Sequence, residues 1–133
     1  MTTQHTLGPW YPDPKGYVWR RPLNDLYEYG GGVAGDKPLA TVCKGWYGES
    51  EQGYPIEANA RLIAAAPELL EACQTFSEWL RREDEGWVSA NKDRSTPEGE
   101  AAWREWFYEN LRICNLAQDQ VKAAIAKATG EQA

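Results

Sequence analysis

The longest helical pattern of apolar and polar positions without a glycine is residues 56–73, I-E-A-N-A-R-L-I-A-A-A-P-E-L-L-E-A-C. Pro67 stands in its middle. Proline has no N–H, and its ring would strike the carbonyl of Ile63, so one straight helix is excluded. The pattern predicts two segments, residues 57–65 and 67–82, with Pro67 opening the second. In the first, Ala58, Leu62, Ala65 and Ala66 follow helical spacing, with Ile63 beside them. In the second, Leu69, Leu70, Cys73, Phe76 and Leu80 form the apolar stripe.

Ahead of this elbow the pattern is that of strands and turns. Met1–Leu7 is polar, and Gly8-Pro9-Trp10 is expected to anchor it. Tyr11–Gly16 is turn chemistry, with two prolines, an aspartate and a glycine. Tyr17-Val18-Trp19-Arg20-Arg21 has strand propensity and sets Tyr17, Trp19 and Arg21 on one face. Leu26–Tyr29 is a second strand candidate, stopped by Gly30-Gly31-Gly32. Residues 38–44 (P-L-A-T-V-C-K) are a third, which Trp46-Tyr47 would extend. Three or four short antiparallel strands need a helix across one face, and the elbow supplies it.

After Arg82, Glu83-Asp84-Glu85-Gly86 ends the second helix. Ser95-Thr96-Pro97-Glu98 then starts another, with a hydroxyl cap, a proline at the first position and carboxylates in the first turn. Trp103, Trp106, Phe107, Asn110, Cys114, Ala117, Val121, Ala124, Ile125 and Ala128 make a near-heptad stripe. Set against Leu69–Leu80, it predicts an antiparallel helical hairpin. The expected fold is α+β: a small N-terminal antiparallel sheet of three or four strands, packed on a kinked helix and a C-terminal antiparallel helical hairpin. One domain is expected over residues 1–133, strand-rich to residue 54 and helical from 55.

Two motifs carry a resemblance. His5-Thr6-Leu7-Gly8-Pro9-Trp10 and the run E-A-N-A-R-L-I-A-A-A-P-E-L-L-E-A from Glu57 to Ala72 resemble a family of small phage- and prophage-encoded proteins. The order of strands, A-N-A helix and proline-started helix is also similar to phage sponge proteins that sequester cyclic ADP-ribose immune signals. These resemblances cover about the first half of the chain. They imply a non-catalytic anti-defence protein that withholds a host signalling nucleotide in the cytoplasm of an infected bacterium.

Composition bears on that reading. Seven Trp and seven Tyr stand against two Phe, and such amphipathic aromatics gather at interfaces and pockets. The net charge is −6; five basic and six acidic residues precede Pro55, nine basic and fourteen acidic follow from it. Without a basic stripe, binding along a nucleic-acid backbone is not expected. The excess acid on the helices is either a solvated surface or a face presented to a basic partner, as in an inhibitor that blocks a host defence effector. Cys43, Cys73 and Cys114 are scattered, without a disulfide framework or zinc spacing. No leader or membrane span is expected, nor a metal or other cofactor. With His5 as the sole histidine, no catalytic set is expected either.

The candidate ligand-binding residues are Trp19, Arg20, Arg21, Trp46, Tyr47, Asn59 and Arg61. Indoles stack on bases and guanidiniums meet phosphates, yet the same side chains make an ordinary sheet face with arginines at its rim. Asn59, a mediocre helix former in an alanine-rich turn, bonds either a ligand or the preceding loop. Arg61 pairs either with a phosphate or with Glu57 four residues earlier. Trp103, Trp106, Phe107 and Tyr108 are the candidate interface of a homo-oligomer.

Overall fold

A computed structural model describes residues 4–22, 37–45, 53–86 and 93–131. The fold is α+β, as the pattern predicts. Three strands, β1 (Tyr11–Pro12), β2 (Tyr17–Trp19) and β3 (Ala40–Thr41), form an antiparallel sheet in the order β1-β2-β3. Three helices follow: α1 (Ile56–Ala64), α2 (Ala66–Glu85) and α3 (Pro97–Thr129). The chain forms two compact units. Unit 1 comprises residues 1–69 and 123–133, and unit 2 residues 70–122. The expected strand at Leu26–Tyr29, the triple glycine, Trp46 and Tyr47 lie outside the described residues. Among the described residues, no helix is long and apolar enough to cross a membrane.

Unit 1 is built on the alternation of β2. Val18 points to one face and is 0% exposed, while Tyr17 and Trp19 point to the other. Val18 sits opposite Pro12 on β1 and Ala40 on β3. It packs with Val42, Ile56, Ala60 and Ala64, with Trp10 and Ala40 at the edge of the cluster. Burying side chains the size of Val18 and Ile56 stabilises by roughly 1.5–3 kcal/mol each. The buried row of α1 is thus Ile56, Ala60 and Ala64, one turn apart. Of the expected stripe, Ala65 is buried and Ala66 half-buried, whereas Ala58, Leu62 and the neighbouring Ile63 face outward, with Leu62 more than half exposed. Small side chains win the inner face because they let the helix backbone approach the sheet closely.

Tyr11 and Pro12, expected to be turn, are the edge strand; proline is tolerated there because an edge N–H need not pair. The turn itself is Asp13–Gly16, organised by one carboxylate. Asp13 is 7% exposed. Its Oδ1 accepts from the Lys15 and Tyr17 amides at 2.8 and 3.1 Å, and its Oδ2 accepts from Trp19 Nε1 at 2.9 Å. Pairing with β3 extends past the strand ends, since Leu39 N donates to Val18 O and Val42 N to Gly16 O.

At the elbow, α1 closes on Ala65, whose amide donates to Arg61 O and Leu62 O. Ala66 opens α2 and Pro67 falls in its first turn, where the missing N–H has no intrahelical acceptor to lose. α3 starts as expected: Thr96 Oγ1 accepts from Gly99 N at 3.0 Å, and Pro97, Glu98 and Glu100 fill the first turn. Within unit 2, α2 and α3 run side by side, joined by Arg82 Nε donating to Asn110 Oδ1 at 2.7 Å and Gln120 Nε2 to Glu71 Oε1 at 3.2 Å.

Two glycines set how closely unit 1 can pack. Gly16 has φ +91°, and a Cβ there would overlap Ile56 Cγ2. A Cβ on Gly8 would come 2.7 Å from Pro67 Cβ, on a ring that cannot swing aside. Gly16→Ala should therefore destabilise the fold by about 2–4 kcal/mol and Gly8→Ala by about 1–3 kcal/mol. Urea unfolding followed by circular dichroism measures both; midpoints unchanged from the parent protein would contradict this packing.

Candidate functional site

The structure distributes the expected ligand-binding residues along unit 1. Trp19 is half-buried, its indole N–H bound by Asp13 and its ring tilted against Tyr17 at 5.9 Å. Arg20 is exposed and Arg21 half-buried, both just beyond the end of β2. Asn59 lies half-buried in the first turns of α1, its amide donating to Pro55 O. Arg61 is engaged structurally. Its Nη1 pairs with Glu57 Oε1 at 3.3 Å, and a Cβ on Gly130 would lie 2.9 Å from its Nε. The guanidinium thus packs on the residue that follows α3, where a cation complements the helix dipole. Close by in sequence, Lys127 Nζ meets Glu68 Oε1 at 2.7 Å. Lys127 therefore ties the last turns of α3 to Glu68 within unit 1.

Unit 2 carries three features of its own. The first is a polar pin: Asn110, 5% exposed, accepts from Arg82 Nε and donates to Glu83, while Arg82 Nη2 reaches Trp106 O at 3.4 Å. A buried amide satisfied on both sides allows only one helix register. The second is an aromatic stack. Arg94 Cζ lies 3.7 Å over the Trp103 ring, Trp103 stacks on Phe107 at 5.2 Å and 20°, and Tyr108 meets Phe107 edge-on. Of the four residues expected at an oligomer interface, Trp103 and Trp106 are half-buried, whereas Phe107 and Tyr108 are exposed.

The third is an apolar groove of about 340 Å³ between α2 and α3. Phe76, Trp79, Cys114, Ala117 and Val121 line it, with Gln118 and Lys122 at its polar edge. Such a lining receives hydrocarbon and offers a single cation, so it suits protein side chains better than a phosphorylated ligand.

The sequence of this chain matches, over residues 1–132, the family described as Salmonella phage P22 protein Y8K6. The chain belongs to that family. No curated protein and no solved structure matches it.

In this phage protein sequence reasoning passed over the roles of Asp13 and Arg82, the pairing of Asn110, which it placed only in the helical stripe, and the groove. Asp13 was read only as part of a turn, because its indole partner is six residues away and nothing local announces that bond. Arg82 and Asn110 are 28 positions apart, and neither betrays the other. The groove had a visible signal: the apolar positions of α3 fall into two heptad series one residue apart, more than one partner helix covers.

Charge pairs along the helices are local and exposed. Arg81 holds both Glu78 and Glu85, at 2.6 and 2.7 Å, and Arg112 holds Glu109 at 2.6 Å. Hydrogen bonding to Arg81 pulls the Glu78 carboxyl below its ordinary value, and Arg112 does the same to Glu109. Asp93 is lowered by its bonds to the Ser95 hydroxyl and amide. A carboxyl depressed on folding binds fewer protons in the folded state than in the unfolded state. Its stabilisation is therefore complete above the ordinary value and is lost as pH falls through the folded one. The urea midpoint should hold level from pH 7 to about pH 5 and drop below the ordinary glutamate value of 4.5. Arg81→Met with Arg112→Met should flatten that drop; an unchanged profile would remove these pairs from the account.

Proposed function

We propose that this phage protein acts by binding rather than by catalysis, blocking a host defence protein with the acidic side of its helices. The observation that carries this reading is a seven-residue recurrence of carboxylates in unit 2. Glu71, Glu78 and Glu85 recur along α2, and Glu98 and Glu105 along α3, with Glu109 one turn further on. Seven residues are nearly two helical turns, so each row keeps to one side of its helix. The bond from Gln120 to Glu71 marks the side of the hairpin that the α2 row occupies. Unit 2 holds eleven acidic and seven basic side chains, four negative charges in excess. Singly these exposed charges contribute little. Together they steer a basic surface into encounter and repel acidic competitors.

Sequestration of a cyclic nucleotide, which the resemblance to sponge proteins implies, would draw on Trp19, Arg20, Arg21, Trp46, Tyr47, Asn59 and Arg61. It has less support, because the Trp19 indole N–H is held by Asp13 and Arg61 Nη1 by Glu57. The two readings part in one pair of measurements. Immobilised protein should capture basic host proteins at about 50 mM salt and release them at about 500 mM. Glu71→Lys with Glu98→Lys and Glu105→Lys should abolish capture without loss of helical signal. Capture insensitive to both salt and charge reversal would end the blocking proposal. A melting temperature raised by a cyclic nucleotide, with intact ligand released on heating, would replace it with sequestration.

A further inference from the structure

The groove of unit 2 has a regular origin. On α3, Trp103, Trp106, Asn110, Ile113 and Ala117 recur at intervals of three and four and form the row facing α2. Phe107, Leu111, Cys114 and Gln118, each one residue later than Trp106, Asn110, Ile113 and Ala117, form a second row that Val121 continues. On α2 the inner row is Ala72, Thr75 and Trp79, and Cys73, Phe76 and Leu80 follow it by one residue. One residue is about 100° around a helix. In an antiparallel pair this rotation turns both second rows toward the same side of the hairpin. The lining agrees, with Phe76 contributed by α2 and Cys114, Gln118 and Val121 by α3. Phe76, Leu80, Phe107 and Leu111 remain 42–46% exposed, and Val121 37%.

We propose that a second copy of this chain covers this side, the two hairpins closing into a four-helix bundle about a two-fold axis parallel to the helices. Filling a groove between two helices takes an apolar ridge of the same heptad period, and each copy brings two. Charge favours a copy over an unrelated helix. Beside its second row, α3 carries Arg104 and Lys122 against one carboxylate, Glu100, which pairs with Arg104 and with Arg94 just ahead of the helix. Beside its own second row, α2 carries Asp84. The two-fold axis sets the basic flank of each α3 beside the partner's α2, where Asp84 is the carboxylate next to the second row. The exposed apolar side chains amount to roughly 400 Å² per copy, on the order of 800 Å² for the pair. Stable interfaces begin at ~1,200 Å², so in the dimer the polar flanks must supply the remainder. Gln118, in mid-row and donating to Cys114 Sγ at 3.4 Å, is the polar position that sets the register.

This surface is separate from the acidic side used in blocking, so the two stand or fall independently. Sedimentation equilibrium of the full chain at about 50 µM should give twice the 15.0 kDa chain mass. Phe107→Glu with Val121→Glu should give the single mass, with helical circular dichroism kept. Tyr108→Glu, next in the chain but turned away from the groove, should leave the dimer intact and serves as the control for surface charge. A parent protein that sediments as a monomer would overturn the proposal. So would a dimer that survives the Phe107 and Val121 pair, or one lost equally on Tyr108→Glu.

Discussion

Close backbone approach is the constraint on which unit 1 depends. Val18 is fully buried because Gly16 before it and Ala60 and Ala64 beneath it carry almost no side chain. A sheet with strands of two or three residues cannot hold itself together by its own ladder. It persists because α1 lies directly on it and because Asp13 fastens the connecting turn to both the backbone and the Trp19 indole. The meeting of Gly8 with Pro67 follows the same logic at the elbow, where a ring fits against a residue without a side chain.

Unit 2 is held differently. Its inner face is apolar along most of its length and polar at Asn110, where Arg82 and Glu83 converge. That polar point contributes less to stability than an apolar residue of the same size would. Its role is to exclude neighbouring registers, since a slip of the helices would leave a buried amide unpaired. The exposed pairs made by Arg81 and Arg112 are local along single helices and support helix formation more than helix packing.

The two outer sides of the hairpin differ in kind, one apolar and grooved, the other lined with carboxylates. A helix satisfied by one partner needs one apolar row, yet α3 has two, and the second would be a liability in a solitary hairpin. Its presence is the physical reason for proposing self-association on that side. Arg61, a candidate phosphate ligand, pairs with Glu57 through Nη1, while its Nε is buried without a hydrogen-bond partner. A cation packed on the glycine that ends α3 stabilises that terminus without any ligand.

Periodicity alone determined the three helices, the break before Pro67, the capped start at Thr96 and the α+β class, because each depends on side chains within a turn or two of one another. The paired strands were legible in part. The turn between Tyr17 and its predecessor was visible, but Pro12 hid an edge strand that only pairing with Val18 creates. Tertiary structure decided which face of α1 is buried: Ala60 and Ala64 displaced the larger Leu62 and Ile63, since the approach of a sheet rewards the absence of bulk more than hydrophobicity. It also decided that Asp13 and Asn110 are held by Trp19, Arg82 and Glu83, partners that no local pattern connects to them.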